Sequence, residues 1–144
     1  MVDRRDVLES DADYIVIPVN RQGVAGAGLA KQWADQYPSE VDEYKKWCYN
    51  LREGRAPAQI ITGGRHILLP TKDHWRDNSN LQDVHHKVVF MYSYMIPHFQ
   101  GKTVSVPLLG AGLGNLDRND VTKMLRKLAL GAYHLYDIDT TVFA

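Results

Sequence analysis

Apolar positions along the chain change period several times, and each change marks an element. Tyr14-Ile15-Val16-Ile17-Pro18-Val19 is a continuous apolar run rich in β-branched residues, the pattern of a strand covered on both faces. Leu29, Ala30, Trp33, Ala34 and Tyr37 then recur at helical spacing, and Pro38 closes that helix. Ser39 with Asp42 reads as the cap of a second helix, whose buried stripe is Val41, Tyr44, Trp47, Cys48 and Leu51. Arg52 to Gly64 is a glycine-bearing loop containing a short strand at Ile60-Ile61. His66 to Leu69 is a buried strand with Pro70 at its exit.

Thr71 to Asn78 is polar and aperiodic, hence a loop. Ser79 and Gln82 form a capping-box pattern ahead of a helix whose apolar face is Val84, Val88, Met91, Tyr92 and Met95. Thr103 to Leu108 is another strand. Asp117 caps a last helix carrying Val121, Met124, Leu125, Leu128, Ala129 and Ala132, and Thr140 to Phe143 forms a terminal strand. Strands alternating with helices predict an α/β fold, its sheet mostly parallel with helices on both faces. Ligands in such sheets bind outside the carboxyl ends of the strands.

Composition narrows the function. The 144 residues fit one domain, residues 1–144, with no repeat or low-complexity tract. Lys and Arg total 17, as do Asp and Glu, so the formal charge is zero, which excludes a protein that coats nucleic acid by bulk phosphate neutralisation. The single cysteine, Cys48, suits a reducing compartment. The first ten residues lack an apolar core and no stretch reaches membrane-span length, so a cytoplasmic protein without membrane contact is expected.

Two loops leaving strands are rich in glycine. In Asn20-Arg21-Gln22-Gly23-Val24-Ala25-Gly26-Ala27-Gly28, glycines remove the Cβ atoms that keep a ligand from main-chain N–H groups, and a helix start follows. Alone, this loop also reads, less readily, as a plain tight turn with close helix–strand packing. Leu109-Gly110-Ala111-Gly112-Leu113-Gly114-Asn115 repeats the arrangement, and two such loops suit opposite sides of one pyrophosphate. Neither ends in Gly-Lys-Ser/Thr, and Lys31 stands where a dinucleotide fingerprint needs a small residue.

At the exit of the His66 strand, Lys72 is placed to lose part of its solvation, which makes its amine a candidate nucleophile or base. His74 is a candidate for proton transfer and Trp75 for stacking on a ring. Taken alone the segment is a solvated loop; its place beside two phosphate loops raises the functional reading. Adjacent His85 and His86 point roughly 100° apart on a helix, so no metal site is expected there. Cys48 on a buried stripe reads as an inert core thiol.

Three motifs taken together resemble macrodomains: Val19-Asn20 with Gly23 to Ala30, Leu69 to Arg76, and Val106 to Asp117. The resemblance runs from about Asp6 to Phe143 and lies nearest the branch of bacterial DNA ADP-ribosyl glycohydrolase antitoxins and the eukaryotic terminal ADP-ribose glycohydrolase. It implies a three-layer α/β/α sandwich with a mixed, mostly parallel central sheet. It also implies ADP-ribose recognition, with Asp6 and Val7 on the adenine and Asn20 on the distal ribose. Gly23, Val24, Gly26, Ala27, Gly28 and Leu29 would enclose the diphosphate from one side. Leu109, Gly110, Ala111, Gly112, Leu113, Gly114 and Asn115 would enclose it from the other, with Thr71 beside them. Lys72 matches the lysine acting at the anomeric carbon, and His74 and Trp75 fall near the modified base; Lys72, Asn20 and His74 are the catalytic candidates.

Three positions depart from the family pattern. Only five residues precede Asp6, so the strand expected there is short or missing. Gly114 replaces the catalytic Asp of the eukaryotic enzyme, which favours a lysine-dependent mechanism. Ala27 replaces a frequent Lys. The expected function is an ADP-ribosyl glycohydrolase acting on a nucleobase or a protein carboxylate, with local contact to single-stranded nucleic acid, as a monomer and with no cofactor or metal. A non-catalytic ADP-ribose binding module and an ADP-ribose 1″-phosphate phosphatase are the alternatives.

Overall fold

The computed structural model describes residues 2–3, 6–54, 60–73 and 76–144. Its strands are β1 Val2–Asp3, β2 Tyr14–Asn20, β3 Ile60–Thr62, β4 His66–Lys72, β5 Thr103–Pro107 and β6 Asp139–Phe143. They form one sheet in the order β1-β6-β5-β2-β4-β3, parallel throughout except that β3 runs antiparallel to β4. Helices α1 Gly28–Gln36 and α2 Pro38–Arg52 cover one face, while α3 Leu81–Phe99 and α4 Arg118–Tyr136 cover the other.

Alternation along β2 explains the two covers. Ile15, Ile17 and Val19 pack with Trp33, Tyr44 and Trp47, whereas Val16 packs with Met91, Met95 and Phe99 on the opposite side. In β4, Leu68 joins the first layer and Ile67 and Leu69 the second. A strand buried on both faces reads as an unbroken apolar run, which is why both were visible as such. The result is the three-layer sandwich with a mixed, mostly parallel sheet.

Local expectations at the element ends are in part corrected and in part met. The second helix starts at Pro38, and Tyr37 precedes it without a side-chain cap; Ser39 lies inside the first turn and does not cap it. Proline lacks the N–H that a first turn leaves unpaired and already has a helical φ, so it starts this helix as well as ending the previous one. Asn80, and not Ser79, caps α3, its Oδ1 accepting from the Asp83 N–H at 3.1 Å. Asp117 caps α4 through the Asp120 N–H at 3.0 Å. The strand preceding Asp6 is present but short, pairing with β6. Pro70 does not end its strand, because β4 continues through Thr71 to Lys72. Cys48 is buried, and burial pushes its thiol above the ordinary value.

One feature of the sheet opens the site. β2 and β5 pair only through Tyr14 with Val104 and Ile15 with Ser105, so beyond Ile15 the two strands part. Pro18 and Pro107, neither able to donate to a ladder, stand beyond the last β2–β5 pair, each keeping a partner only on its other side, Leu69 and Phe143. The chain leaves β2 toward β4 and returns across it to β5. The order of the sheet therefore reverses at this point, and a crevice forms at the carboxyl ends.

Candidate functional site

The crevice encloses a cavity of about 860 Å³, bounded by the loop after β2, the end of β4 and the loop after β5. That volume suits a ligand larger than a mononucleotide sugar. A Cβ built on Gly28 would lie 3.4 Å from Leu113 Cδ1, so the two glycine-rich loops meet across the cavity.

Asn20, buried at the end of β2, organises the first loop. Its Oδ1 accepts from the N–H groups of Gln22 at 2.9 Å and Val24 at 3.3 Å, and its Nδ2 donates to Val24 O at 2.7 Å. The Tyr44 hydroxyl sits 2.9 Å from the same Oδ1 and 2.8 Å from the Asn20 main-chain oxygen. Burial pushes the Tyr44 phenol far above its ordinary value, so it remains a donor. Among the described residues these bonds use the Asn20 acceptor and one of its two Nδ2 hydrogens.

Val24, Gly26, Ala27, Gly28 and Leu29 lie on the cavity wall. Gly23 does not: a Cβ there would meet Lys45 Cγ at 3.4 Å, so Gly23 faces α2 and serves the turn, at φ 80°. Ala27 offers α1 no side-chain cap. Gly28, Leu29 and Ala30, whose N–H groups begin the helix and so have no partner within it, line the cavity, the arrangement in which a helix start can meet an anion.

The second loop closes on itself. Leu116 N–H donates to Gly110 O at 2.9 Å, Asn115 N–H to Gly112 O at 3.1 Å and Ala111 N–H to Leu108 O at 3.1 Å. Among the described residues the N–H groups of Gly112, Leu113 and Gly114 have no such bond, and these three residues with Gly110 are on the wall. Leu109, Ala111 and Asn115 are not. Leu109 is fully buried in the core, Ala111 packs against it, and the Asn115 side chain donates to Asn78 Oδ1 at 2.7 Å. The spacing of glycines located this loop without separating its wall residues from its scaffold.

Thr71 and half-buried Lys72 complete the wall. A register shift between Val19 and Asn20 makes Asn20 the partner of Lys72, one residue later than the preceding pairs require. This bulge brings the amine-bearing residue abreast of the Asn20 loop. The next residue is held in place: Arg21 N–H donates to Asp73 O at 3.3 Å, and Arg21 Nε pairs with Asp73 Oδ1 at 2.9 Å. His74 and Trp75 lie outside the described residues.

Asp6 and Val7 stand at the far end with Phe143. One Asp6 oxygen accepts from the Leu8 N–H at 3.0 Å, which fixes the carboxylate at the cavity edge. Sequence reasoning missed Ser79, Pro107, Arg118 and Phe143 on the wall; each comes from an element whose pattern signalled only strand, cap or helix. The cavity wall thus combines two glycine-rich loops, the amine-bearing Lys72 at the end of β4, and Phe143 and Val7 with the Asp6 carboxylate. That set suits a phosphorylated ligand that also carries an apolar ring.

No family model matches the chain. It is 31% identical to a DNA ADP-ribosyl glycohydrolase of Mycobacterium tuberculosis across 96% of its length, and spans 40% of that relative. The solved structure of the macrodomain of Mycobacterium tuberculosis DarG superposes with a TM-score of 0.80 at 30% identity, covering 99% of this chain and 97% of that one. A Thermosipho africanus DarTG structure in complex with ADP-ribose has a TM-score of 0.77 at 19% identity, covering 96% of this chain and 39% of that one, and shares the fold.

Proposed function

The chain belongs to the macrodomain family, and from that premise we propose that it is an ADP-ribosyl glycohydrolase releasing ADP-ribose from a nucleobase of DNA. The observation that carries this reading is the pairing of Lys72 with Asn20 at the mouth of two amide-lined loops. The N–H groups of Gly28 to Ala30 and of Gly112 to Gly114 hold the diphosphate through the main chain, so the Lys otherwise frequent at Ala27 is dispensable. The remaining Nδ2 hydrogen of Asn20 holds a hydroxyl of the distal ribose.

Cleavage breaks the bond from the anomeric carbon to the base and ends with a water oxygen on that carbon and a water proton on the base. The transition state carries positive character on the sugar, as in other glycoside cleavages. Lys72 acts at the anomeric carbon, and His74 and Trp75 belong on the side of the base. We place the protein in the cytoplasm as a monomer, with the buried unpaired Cys48 as support.

The reading is tested by offering three substrates side by side: an ADP-ribosylated single-stranded oligonucleotide, a protein ADP-ribosylated on carboxylates, and ADP-ribose 1″-phosphate. Release of ADP-ribose from the oligonucleotide is expected. Turnover of the phosphate alone selects a phosphatase, and calorimetric binding of ADP-ribose with no turnover selects a binding module. In the same binding assay Asn20→Ala is expected to weaken ADP-ribose by about ten-fold or more, because the loop loses its bonds together with the ribose contact. Cys48→Ser should leave affinity within about two-fold. Equal losses in the two variants contradict the assigned pocket.

A further inference from the structure

Tyr44 reads from the sequence as one apolar position on the buried stripe of α2, yet its polar end meets the site. The residue is fully buried, and its ring is held edge-on by Trp33, with centroids 5.9 Å apart at 76°. The hydroxyl lies 2.8 Å from the Asn20 main-chain oxygen and 2.9 Å from Asn20 Oδ1, so its one hydrogen serves two acceptors on the same residue. One turn further along α2, Cys48 Sγ stands 3.9 Å from that main-chain oxygen. Lys45 closes on Gly23, its Cγ 3.4 Å from a Cβ built there. Three residues of α2 thus seat the start of the first glycine loop.

The other bonds of this loop have different consequences. Those joining Asn20 to Gln22 and Val24 stay within the loop, so they fix its shape and travel with it. Arg21 ties it outward to Asp73, whose carboxylate is exposed, and an ion pair in water holds weakly. Tyr44 supplies a buried tie to Asn20 itself, where no water competes for the bond.

We propose that Tyr44 is a positioning residue for Asn20: its hydroxyl holds the carboxamide against α2 at the angle from which Nδ2 meets a hydroxyl of the terminal ribose. The proposal rests on the ADP-ribose reading given above. Tyr44 is not on the cavity wall, so it acts through Asn20. Its effect is therefore confined to ligands that carry the terminal sugar, because the diphosphate is assigned to amides at 28–30 and 112–114.

Tyr44→Phe removes the hydroxyl and keeps the ring against Trp33, so its melting temperature is expected to fall by less than about 8 °C. Isothermal titration with ADP-ribose, and with ADP, which lacks the terminal sugar, reads the two halves of the site separately. ADP-ribose should bind Tyr44→Phe about five-fold more weakly than the parent, and ADP within about two-fold. In an Asn20→Ala background the same change should cost ADP-ribose less than about two-fold, since the carboxamide it positions is gone.

Unchanged ADP-ribose affinity in Tyr44→Phe overturns the proposal. Equal losses for the two ligands, or an undiminished loss in the Asn20→Ala background, overturn it as well, because both report a general loosening of the loop. A parent that binds ADP-ribose and shows the split, yet releases none from the oligonucleotide, keeps the role of Tyr44 and removes only the hydrolase reading. A parent that does not bind ADP-ribose overturns both.

Discussion

Lys72→Ala is expected to slow release of ADP-ribose from the oligonucleotide by about a thousand-fold while affinity for ADP-ribose stays within about three-fold. The split follows from who holds what. In the proposed complex the diphosphate is met by main-chain donors of Gly28 to Ala30 and Gly112 to Gly114, residues that line the cavity and that the substitution leaves in place. Lys72 stands at the end of β4, abreast of Asn20, and the role proposed for its amine is on the terminal sugar alone. Lys72→Arg separates two roles for that amine. A guanidinium keeps the positive charge and gives up nucleophilicity, so a variant as slow as Lys72→Ala indicates chemistry at the amine, and substantial recovery indicates electrostatics. Cleavage by Lys72→Ala at the parent rate removes the residue from the mechanism.

Gly114→Ala should weaken ADP-ribose by about thirty-fold, equivalent to about 2 kcal/mol of displaced loop. A Cβ at this position would lie 2.5 Å from Gly110 O and 2.8 Å from Ser79 Cβ, and would press on Ser79 Oγ as well. The carbonyl cannot rotate away, because it accepts from the Leu116 N–H that closes the loop. Gly112→Ala is the comparison: a Cβ there meets nothing within 4 Å, so its loss should stay within a few-fold. Isothermal titration of both variants reads the difference, and equal affinities contradict the close packing around Ser79. The same crowding bars a carboxylate at 114. Gly114→Asp is therefore expected to lose binding instead of gaining a second catalytic group, which leaves the lysine to act without an acidic partner in this loop.

The layers of the fold were legible because they depend on periodicity. The β2 run, the stripes of α2, α3 and α4 and the Asp117 cap all express a local rule that neighbouring residues satisfy together. Ends of elements were less legible, and the reason is tertiary. Ser79 looks like a cap by its Ser-x-x-Gln spacing, but its N–H is taken by Gly114 O from a loop far along the chain, and Asn80 caps in its place. Lys72 looked like a loop residue because Pro70 precedes it, yet β2 keeps pairing to that point across a bulge.

The site followed the same division. Glycines at 26, 28, 110, 112 and 114 marked the wall by their permissiveness for close approach. Gly23 and Asn115 carry the same local signal and serve the scaffold, a distinction set by Lys45 and Asn78, which no spacing rule connects to them. Arg118 and Phe143 reach the cavity only because their helix and strand end there.

The most direct measurement is a crystal structure of the protein with ADP-ribose bound. Both phosphates are expected within hydrogen-bond reach of the amides at 28–30 and 112–114, with the Lys72 Nζ about 3 to 3.5 Å from the anomeric carbon. A diphosphate seated away from either loop, or a terminal ribose with its anomeric carbon turned from Lys72, contradicts the account.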